Sequence, residues 1–127
     1  MQVIMVVDDS PVIRKVADRL LRDMGFIVVE AGDGNEALNL CGHKMPDAIL
    51  VDWSLPSMSG TEFIQEFRSL DGAQKVKILY CTSEIMVAEM TRAKRAGANG
   101  FLMKPFDRNI LSTKLQEIGM EAKPKAA

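Results

Sequence analysis

The stretch ILVDWSLP, residues 49–56, is an apolar run that ends abruptly in a carboxylate. Ile49, Leu50 and Val51 have no polar residue between them, as expected of a strand covered on both faces of a sheet. Asp52 follows with no polar lead-in, and Trp53, Ser54, Leu55 and Pro56 then break the pattern. The stretch VIMVVDDS, residues 3–10, repeats the design, with apolar residues up to Val7 and then Asp8 and Asp9. Two buried strands that finish in acid raise one question: what the acids are for.

Outward from these stretches, strand-like and helix-like patterns alternate along the chain. Residues 2–7 form a first strand, after which Ser10 can cap a helix with Pro11 at its first position. Val12, Ile13, Val16, Ala17, Leu20, Leu21 and Met24 then recur at helical spacing and predict one inward stripe, ended by Gly25. FIVVEA (26–31) reads as a second strand, and Asp33 can cap a helix bearing Ala37, Leu38 and Cys41. DAILVD (47–52) is the third strand, and a helix from about Gly60 turns Phe63, Ile64, Phe67 and Leu70 inward. VKILYCT (76–82) is the fourth strand, with a helix from about Glu84 to Ala96 closed by Gly97. GFLMK (100–104) is a short fifth strand stopped by Pro105, and Asp107 can cap a last helix with Leu111, Leu115 and Ile118 inward. Residues 121–127 lack periodicity and are expected to fray, leaving residues 1–120 as the folded unit.

Five strands, each followed by a helix, imply βαβ crossovers and a parallel sheet. The expected architecture is α/β: a doubly wound five-stranded sheet of order 2-1-3-4-5, flavodoxin-like, with helices on both faces. A length of 127 residues suits one such domain. Hydrophobic residues at 47% and charged residues at 26% are ordinary for a globular protein. A net charge of −1 supplies no basic field of the kind nucleic-acid binding needs. The first apolar run is too short for a signal-peptide core or a membrane span. Cys41 and Cys81 fit no CxxC or zinc spacing and read as buried free thiols of a cytoplasmic protein.

In a doubly wound sheet, function sits at the carboxyl ends of the strands, beside the switch point between strands 1 and 3. Those strands end in Asp8, Asp9 and Asp52, strand 4 in Thr82 and Ser83, and strand 5 in Lys104. Any one of these residues could be a helix cap or a loop charge. Together they converge, because the topology brings four separated segments to one sheet edge. Clustered carboxylates repel one another unless a cation joins them. Oxygen ligands favour Mg²⁺, or Mn²⁺, over zinc, and the one histidine, His43, lies in a polar loop away from the acids. Lys104 adds a second positive charge and Thr82 a hydroxyl donor, so the edge suits phosphoryl chemistry with a carboxylate as nucleophile.

The set VVDDS, ILVDWSLPSMSG, LYCTSE and FLMKPF, in this order and at these spacings, resembles the receiver domain of bacterial two-component response regulators. The likeness covers essentially the whole chain and is greatest to stand-alone, chemotaxis-type (CheY-like) members. It implies that Asp52 accepts a phosphoryl group from the phosphohistidine of a histidine kinase or histidine phosphotransfer protein. It also implies that Asp9 binds Mg²⁺ directly, Asp8 through water, and that Asp52 and the Ser54 backbone carbonyl complete the set. Lys104 then pairs with phosphoryl oxygens, Thr82 is the switch hydroxyl, Phe101 the switch aromatic, and Lys104–Pro105 a peptide that is usually cis. Trp53, Ser54, Ser83 and Glu84 border the phosphoryl group, and Trp53 and Glu84 occur in chemotaxis-type members. The chain departs from the usual pattern at Ser59, where Asp is common, and at Ser54, where Asn or Met is.

The resemblance further implies a monomer that signals by phosphorylation-dependent binding. The downstream partner docks on the face made by helix 4, strand 5 and helix 5, where Arg92, Lys94, Arg95 and Lys114 are candidate contacts. Two rivals share the fold. A metal-dependent phosphatase working through an aspartyl phosphate would place a DxD motif after strand 1, where this chain has DDS. A flavin- or nucleotide-binding module would want a phosphate loop there, and Asp8 and Asp9 would repel the anion.

Overall fold

The computed structural model describes residues 1–121. Its elements are β1 (Val3–Val7), α1 (Pro11–Asp23), β2 (Ile27–Ala31), α2 (Gly34–His43), β3 (Ala48–Asp52), α3 (Gly60–Arg68), a 3-10 turn (Ala73–Lys75), β4 (Lys77–Thr82), α4 (Val87–Ala96), β5 (Gly100–Met103) and α5 (Arg108–Glu117). All strand pairs are parallel and the order is β2-β1-β3-β4-β5, the doubly wound α/β arrangement expected from the alternation. No helix among the described residues is long and apolar enough to cross a membrane. Residues 122–127 of the expected fraying tail lie outside the described residues.

The apolar strands are continuous because both sheet faces are covered. One face carries Ile4, Val6, Leu50, Leu79, Cys81 and Leu102 against Ala17, Leu21 and Met24 of α1 and its C-cap and Leu111 and Leu115 of α5. The other carries Met5, Val7, Ile49, Val51, Ile78 and Tyr80 against Ala37, Cys41, Phe63, Ile64, Phe67 and Ala93 from α2, α3 and α4. β1 and β3 are buried along their whole length, so their ends are fixed by packing before any polar contact is made.

Four helices start on side-chain caps, three of them at the residues expected from the sequence and the fourth at Ser59. Ser10 accepts from the Ile13 N–H, Asp33 from Glu36 and Asp107 from Ile110, while Ser59 and Glu62 form a reciprocal capping box. Each cap is worth about 1 kcal/mol and sets where its helix leaves the sheet edge.

Two expectations are corrected. Val12 and Val16 do not face inward: they are 68% and 46% exposed. The buried line of α1 runs through Ala17, Leu21 and Met24. At about 100° per residue, Val16 lies roughly 100° and Val12 roughly 140° round the helix from Ala17. The fourth helix begins at Val87 rather than near Glu84. The Thr82 hydroxyl donates to the Glu84 carbonyl at 2.9 Å and accepts the Glu84 N–H at 3.2 Å, a local turn that competes with a helical start.

Candidate functional site

The register builds the site. Val7 of β1 pairs with Val51 of β3, so the next residues, Asp8 and Asp52, emerge side by side at the switch point. Asp52 pairs with Cys81 of β4, and Thr82 with Met103 of β5. The Lys104 N–H donates to the Thr82 carbonyl at 2.8 Å, which carries the ladder one residue beyond β5 and sets where the lysine departs. The Lys104–Pro105 peptide is cis.

One carboxylate oxygen from each of Asp8, Asp9 and Asp52 lies within 4.8 Å of the others. Asp8 and Asp52 are buried, at 3% and 6% exposure, whereas Asp9 is exposed. Lys104 Nζ reaches Asp8 Oδ2 and Asp52 Oδ1, each at 2.6 Å. Asp8 also accepts the Ser10 N–H at 2.9 Å, and the Ser54 N–H donates to the Asp52 carboxylate. The Asp9 carboxylate has no hydrogen bond or ion pair among the described residues.

Burial raises the Asp52 carboxyl above the usual range; the Lys104 hydrogen bond and charge pull it back, and the Asp8 charge adds to the rise. Burial also works against the Lys104 charge, but its hydrogen bonds to Asp52 and Asp8 prevail and hold the ammonium above its ordinary value. One lysine therefore serves two of the three acids and leaves Asp9 without a counter-charge, so the deficit of positive charge sits at this sheet edge. The donors are all oxygen, one carboxylate is free of partners, and a hard divalent cation fits that set. Cys81 lies beneath the site, and burial pushes its thiol well up. Cys41, in the other core, is raised to about 11, so neither thiol ionises near neutrality.

The remaining residues singled out from the sequence surround this centre. Trp53 is half-buried against the second core, and its N–H donates to the Cys81 carbonyl at 2.9 Å. Ser54, Ser83 and Glu84 are exposed on the two flanking loops. Thr82 is buried, with its hydroxyl committed to Glu84. Phe101 is half-buried and meets Tyr80 edge-on, with ring centroids 6.1 Å apart. His43 is exposed, and among the described residues its ring bonds only the Asn39 carbonyl of its own helix. Arg92, Lys94 and Arg95 are exposed along α4; Arg92 pairs with Glu89, and Lys114 with Glu117 on α5.

Three contributors escape a reading by pattern. Gly60 donates to the Trp53 carbonyl, and a Cβ there would stand 2.5 Å from the Asp52 carbonyl oxygen, so the loop after β3 closes directly onto the Asp52 backbone. Arg14 donates to the Asp8 carbonyl at 2.6 Å, and Arg68 ties together four carbonyl oxygens. No periodicity marks either arginine; only the position of Arg14 one residue beside an apolar stripe hints that it points back along the helix.

Residues 4–116 match the response regulator receiver domain family. The chemotaxis protein CheY of Pseudomonas aeruginosa is 33% identical over 116 residues, covering 91% of this chain and 94% of that protein. CheY-3 of Vibrio cholerae is 34% identical, covering 91% and 89%. The solved structure of Vibrio cholerae CheY4 superposes with a TM-score of 0.89 at 35% identity, over 93% of this chain and 98% of that one. The receiver domain of a Pseudomonas aeruginosa sensor histidine kinase, solved with a magnesium ion coordinated in its active site cleft, gives 0.84 at 32% identity, over 92% and 96%. With its parallel sheet, its acidic switch point and this extent of similarity, the chain belongs to the response regulator receiver domain family.

Proposed function

We propose that Asp52 is the phosphoacceptor of this response regulator, and that a phosphohistidine on a sensor kinase or phosphotransfer protein is the donor. The observation that carries the reading is the Asp52 carboxylate: 6% exposed, at the tip of a buried strand, 2.6 Å from Lys104 and grouped with Asp8 and Asp9. In the transfer, an Asp52 oxygen attacks phosphorus, the P–N bond breaks and the imidazole leaves, giving an acyl phosphate. Burial makes Asp52 more basic than a surface aspartate, and Lys104 steadies it in the ionised form that attacks.

Asp8, Asp9, Asp52 and the Ser54 backbone carbonyl would hold Mg²⁺, or Mn²⁺, in agreement with the metal in the related sensor-kinase receiver. That ion supplies charge neutralisation at the transferring phosphoryl oxygens. Lys104 then exchanges an Asp52 oxygen for a phosphoryl oxygen while keeping Asp8. Thr82 must leave Glu84 to donate to the phosphoryl group, which frees the loop before α4 and lets the Phe101 ring turn inward. Trp53, Ser54, Ser83 and Glu84 border that event.

Receiver domains of the CheY type act through histidine kinases and downstream targets. The reading for this chain is a cytoplasmic, monomeric, single-domain regulator, with residues 1–120 as the working unit and no substrate turnover beyond its own phosphoryl group. Its output surface is the α4–β5–α5 face, with Arg92, Lys94, Arg95 and Lys114 as contacts. Coverage of the CheY relatives over nearly their whole length supports the single-domain reading. A role as phosphate shuttle or sink uses the same acceptor.

The test is labelling by acetyl phosphate with Mg²⁺ present. Wild type is expected to take up acid-stable, base-labile phosphate and to change Trp53 fluorescence, and Asp52→Asn to do neither. Equal uptake by Asp52→Asn would assign the acceptor elsewhere.

A further inference from the structure

Asp8 is held on every polar atom, and one of those holds belongs to a residue with no part in the chemistry above. Its N–H donates to the Ala31 carbonyl at 3.1 Å, its carboxylate takes Ser10 and Lys104, and its own carbonyl takes Arg14 Nη1 at 2.6 Å. Arg14 sits on the second turn of α1 and reaches back over the end of β1. Its Nε also bonds Glu30 Oε1 at 3.2 Å, with the two side chains 20% and 38% exposed. Glu30 lies on β2 opposite Val6, so the guanidinium spans from the neighbouring strand to the turn that carries the acids.

The Asp8 carbonyl and the Asp9 N–H belong to one planar peptide unit. Fixing the carbonyl fixes that plane, and with it the axis about which Asp9 turns. Asp9 has no side-chain partner of its own among the described residues, so its carboxylate inherits its direction from this peptide. We propose that Arg14 is a positioning residue for the cation site, holding the Asp8–Asp9 peptide so that Asp9 stays directed toward Asp8 and Asp52. Glu30 keeps the guanidinium in place and offsets its charge. The proposal rests on the reading of the three acids as a Mg²⁺ site.

Two effects of Arg14 have opposite signs, and this makes the proposal decidable. As a positive charge near the acids, Arg14 competes with an incoming cation, so its removal would tighten Mg²⁺ binding. As the holder of the peptide, it spares Asp9 an ordering cost, so its removal would weaken Mg²⁺ binding. Because Glu30 already balances the charge, the second effect is expected to win.

The experiment is calorimetric titration of the full chain with MgCl₂, on wild type, Arg14→Met, Arg14→Lys and Glu30→Gln, with a metal-free thermal melt of each. Arg14→Met is expected to weaken Mg²⁺ binding about tenfold, the scale seen when a partner of a metal ligand is lost. Arg14→Lys, which keeps the charge but not the forked donors, is expected to weaken it less, and Glu30→Gln less again. Tighter or unchanged binding in Arg14→Met overturns the proposal, and a lower melt with unchanged binding reduces Arg14 to a structural role. If Arg14→Met fails to fold, Arg14→Lys and Glu30→Gln decide in the same way by the sign of their change. A wild type that binds no Mg²⁺ overturns the metal reading itself, and this proposal with it.

Discussion

The two ends of α4 are held in opposite ways. At the C-terminal end, Arg68 spends all five of its N–H donors: Nε and Nη2 on the Gly97 carbonyl at 3.3 and 2.7 Å, Nη1 on Ala73 and Val76 at 2.6 and 2.8 Å, and Nη2 on Asn99 Oδ1 at 2.9 Å. Asn99 passes the hold on by accepting the Ile78 N–H of β4 at 2.8 Å. Gly97 turns there with φ of 126°, and any side chain at that position would strike Arg68. At the N-terminal end the cap, Met86, makes no side-chain bond, and Ile85 and Val87 are 73% and 74% exposed. Among the described residues, the only side-chain hold on the approach is the Thr82 hydroxyl on Glu84. The helix is riveted where the fold needs it and lightly held on the side of the acidic site, so a change at Asp52 meets little resistance there.

The strongest way to break this contrast is to remove the rivet. Arg68→Ala leaves several backbone carbonyls without their donor and is expected to cost about 3 kcal/mol or more in urea unfolding. Arg68→Lys is expected to recover little, because an ammonium cannot fork. A loss under about 1 kcal/mol would mean the two ends are held alike.

The next effect sharpens the contrast from the acidic side. Mg²⁺ at 100 times its Kd is expected to stabilise wild type by about 2.7 kcal/mol, read as a shift in thermal melt. Asp52→Asn is expected to melt higher than wild type in metal-free buffer at neutral pH. The folded-state pKa of Asp52 is raised by burial, so its ionised form costs stability above that pKa, and stability is recovered as pH falls through it. The gap between the two proteins is therefore expected to close on acidification as well as on adding Mg²⁺. A gap that widens toward acid would reverse the sign of the burial effect.

Smaller again is Thr82→Ala. It is expected to lose about 1 kcal/mol, to speed amide exchange at Glu84, and to label at Asp52 while losing any shift of α4 resonances on addition of a beryllofluoride phosphoryl mimic. Wild-type shifts confined to the acidic pocket, with none near Phe101 or α4, would break the link between site and helix. The smallest change runs the other way. Met86→Ser supplies the missing cap and is expected to stabilise the chain by about 0.5–1 kcal/mol, with a weaker response to the same mimic.

Much of the fold was legible because burial on both sheet faces writes itself as unbroken apolar strands, and because Ser10, Asp33 and Asp107 stand where helices begin. The gathering of Asp8, Asp9, Asp52, Thr82 and Lys104 at one edge followed from topology alone. What pattern could not supply were contacts set by tertiary distance. Arg14 and Arg68 bond carbonyls on other elements, and an arginine looks the same in sequence whether it binds water or backbone. Val12 and Val16 misled because an apolar stripe can be wider than the face a helix buries. The start of α4 was misplaced because a threonine hydroxyl can close a turn that helical spacing would otherwise continue.

Gly60 carries a consequence for how such a chain can diversify. Its N–H closes onto the Trp53 carbonyl at 3.0 Å, and the nearest obstacles to a side chain are backbone atoms, Asp52 O at 2.5 Å and Trp53 Cα at 3.1 Å. Residues 54–59 are thus an insert clamped at both ends, whose contents can be exchanged while its seating stays the same. A substitution inside the insert, such as the serine at 54, retunes what surrounds the acceptor and leaves the acceptor in place, whereas Ser59 is tied to the start of α3 by its capping box with Glu62. A substitution at 60 has no flexible atom to push aside and must move the Asp52 backbone itself. Variation in this loop is therefore channelled: open in its middle, held at the Ser59 cap and closed at the Gly60 hinge.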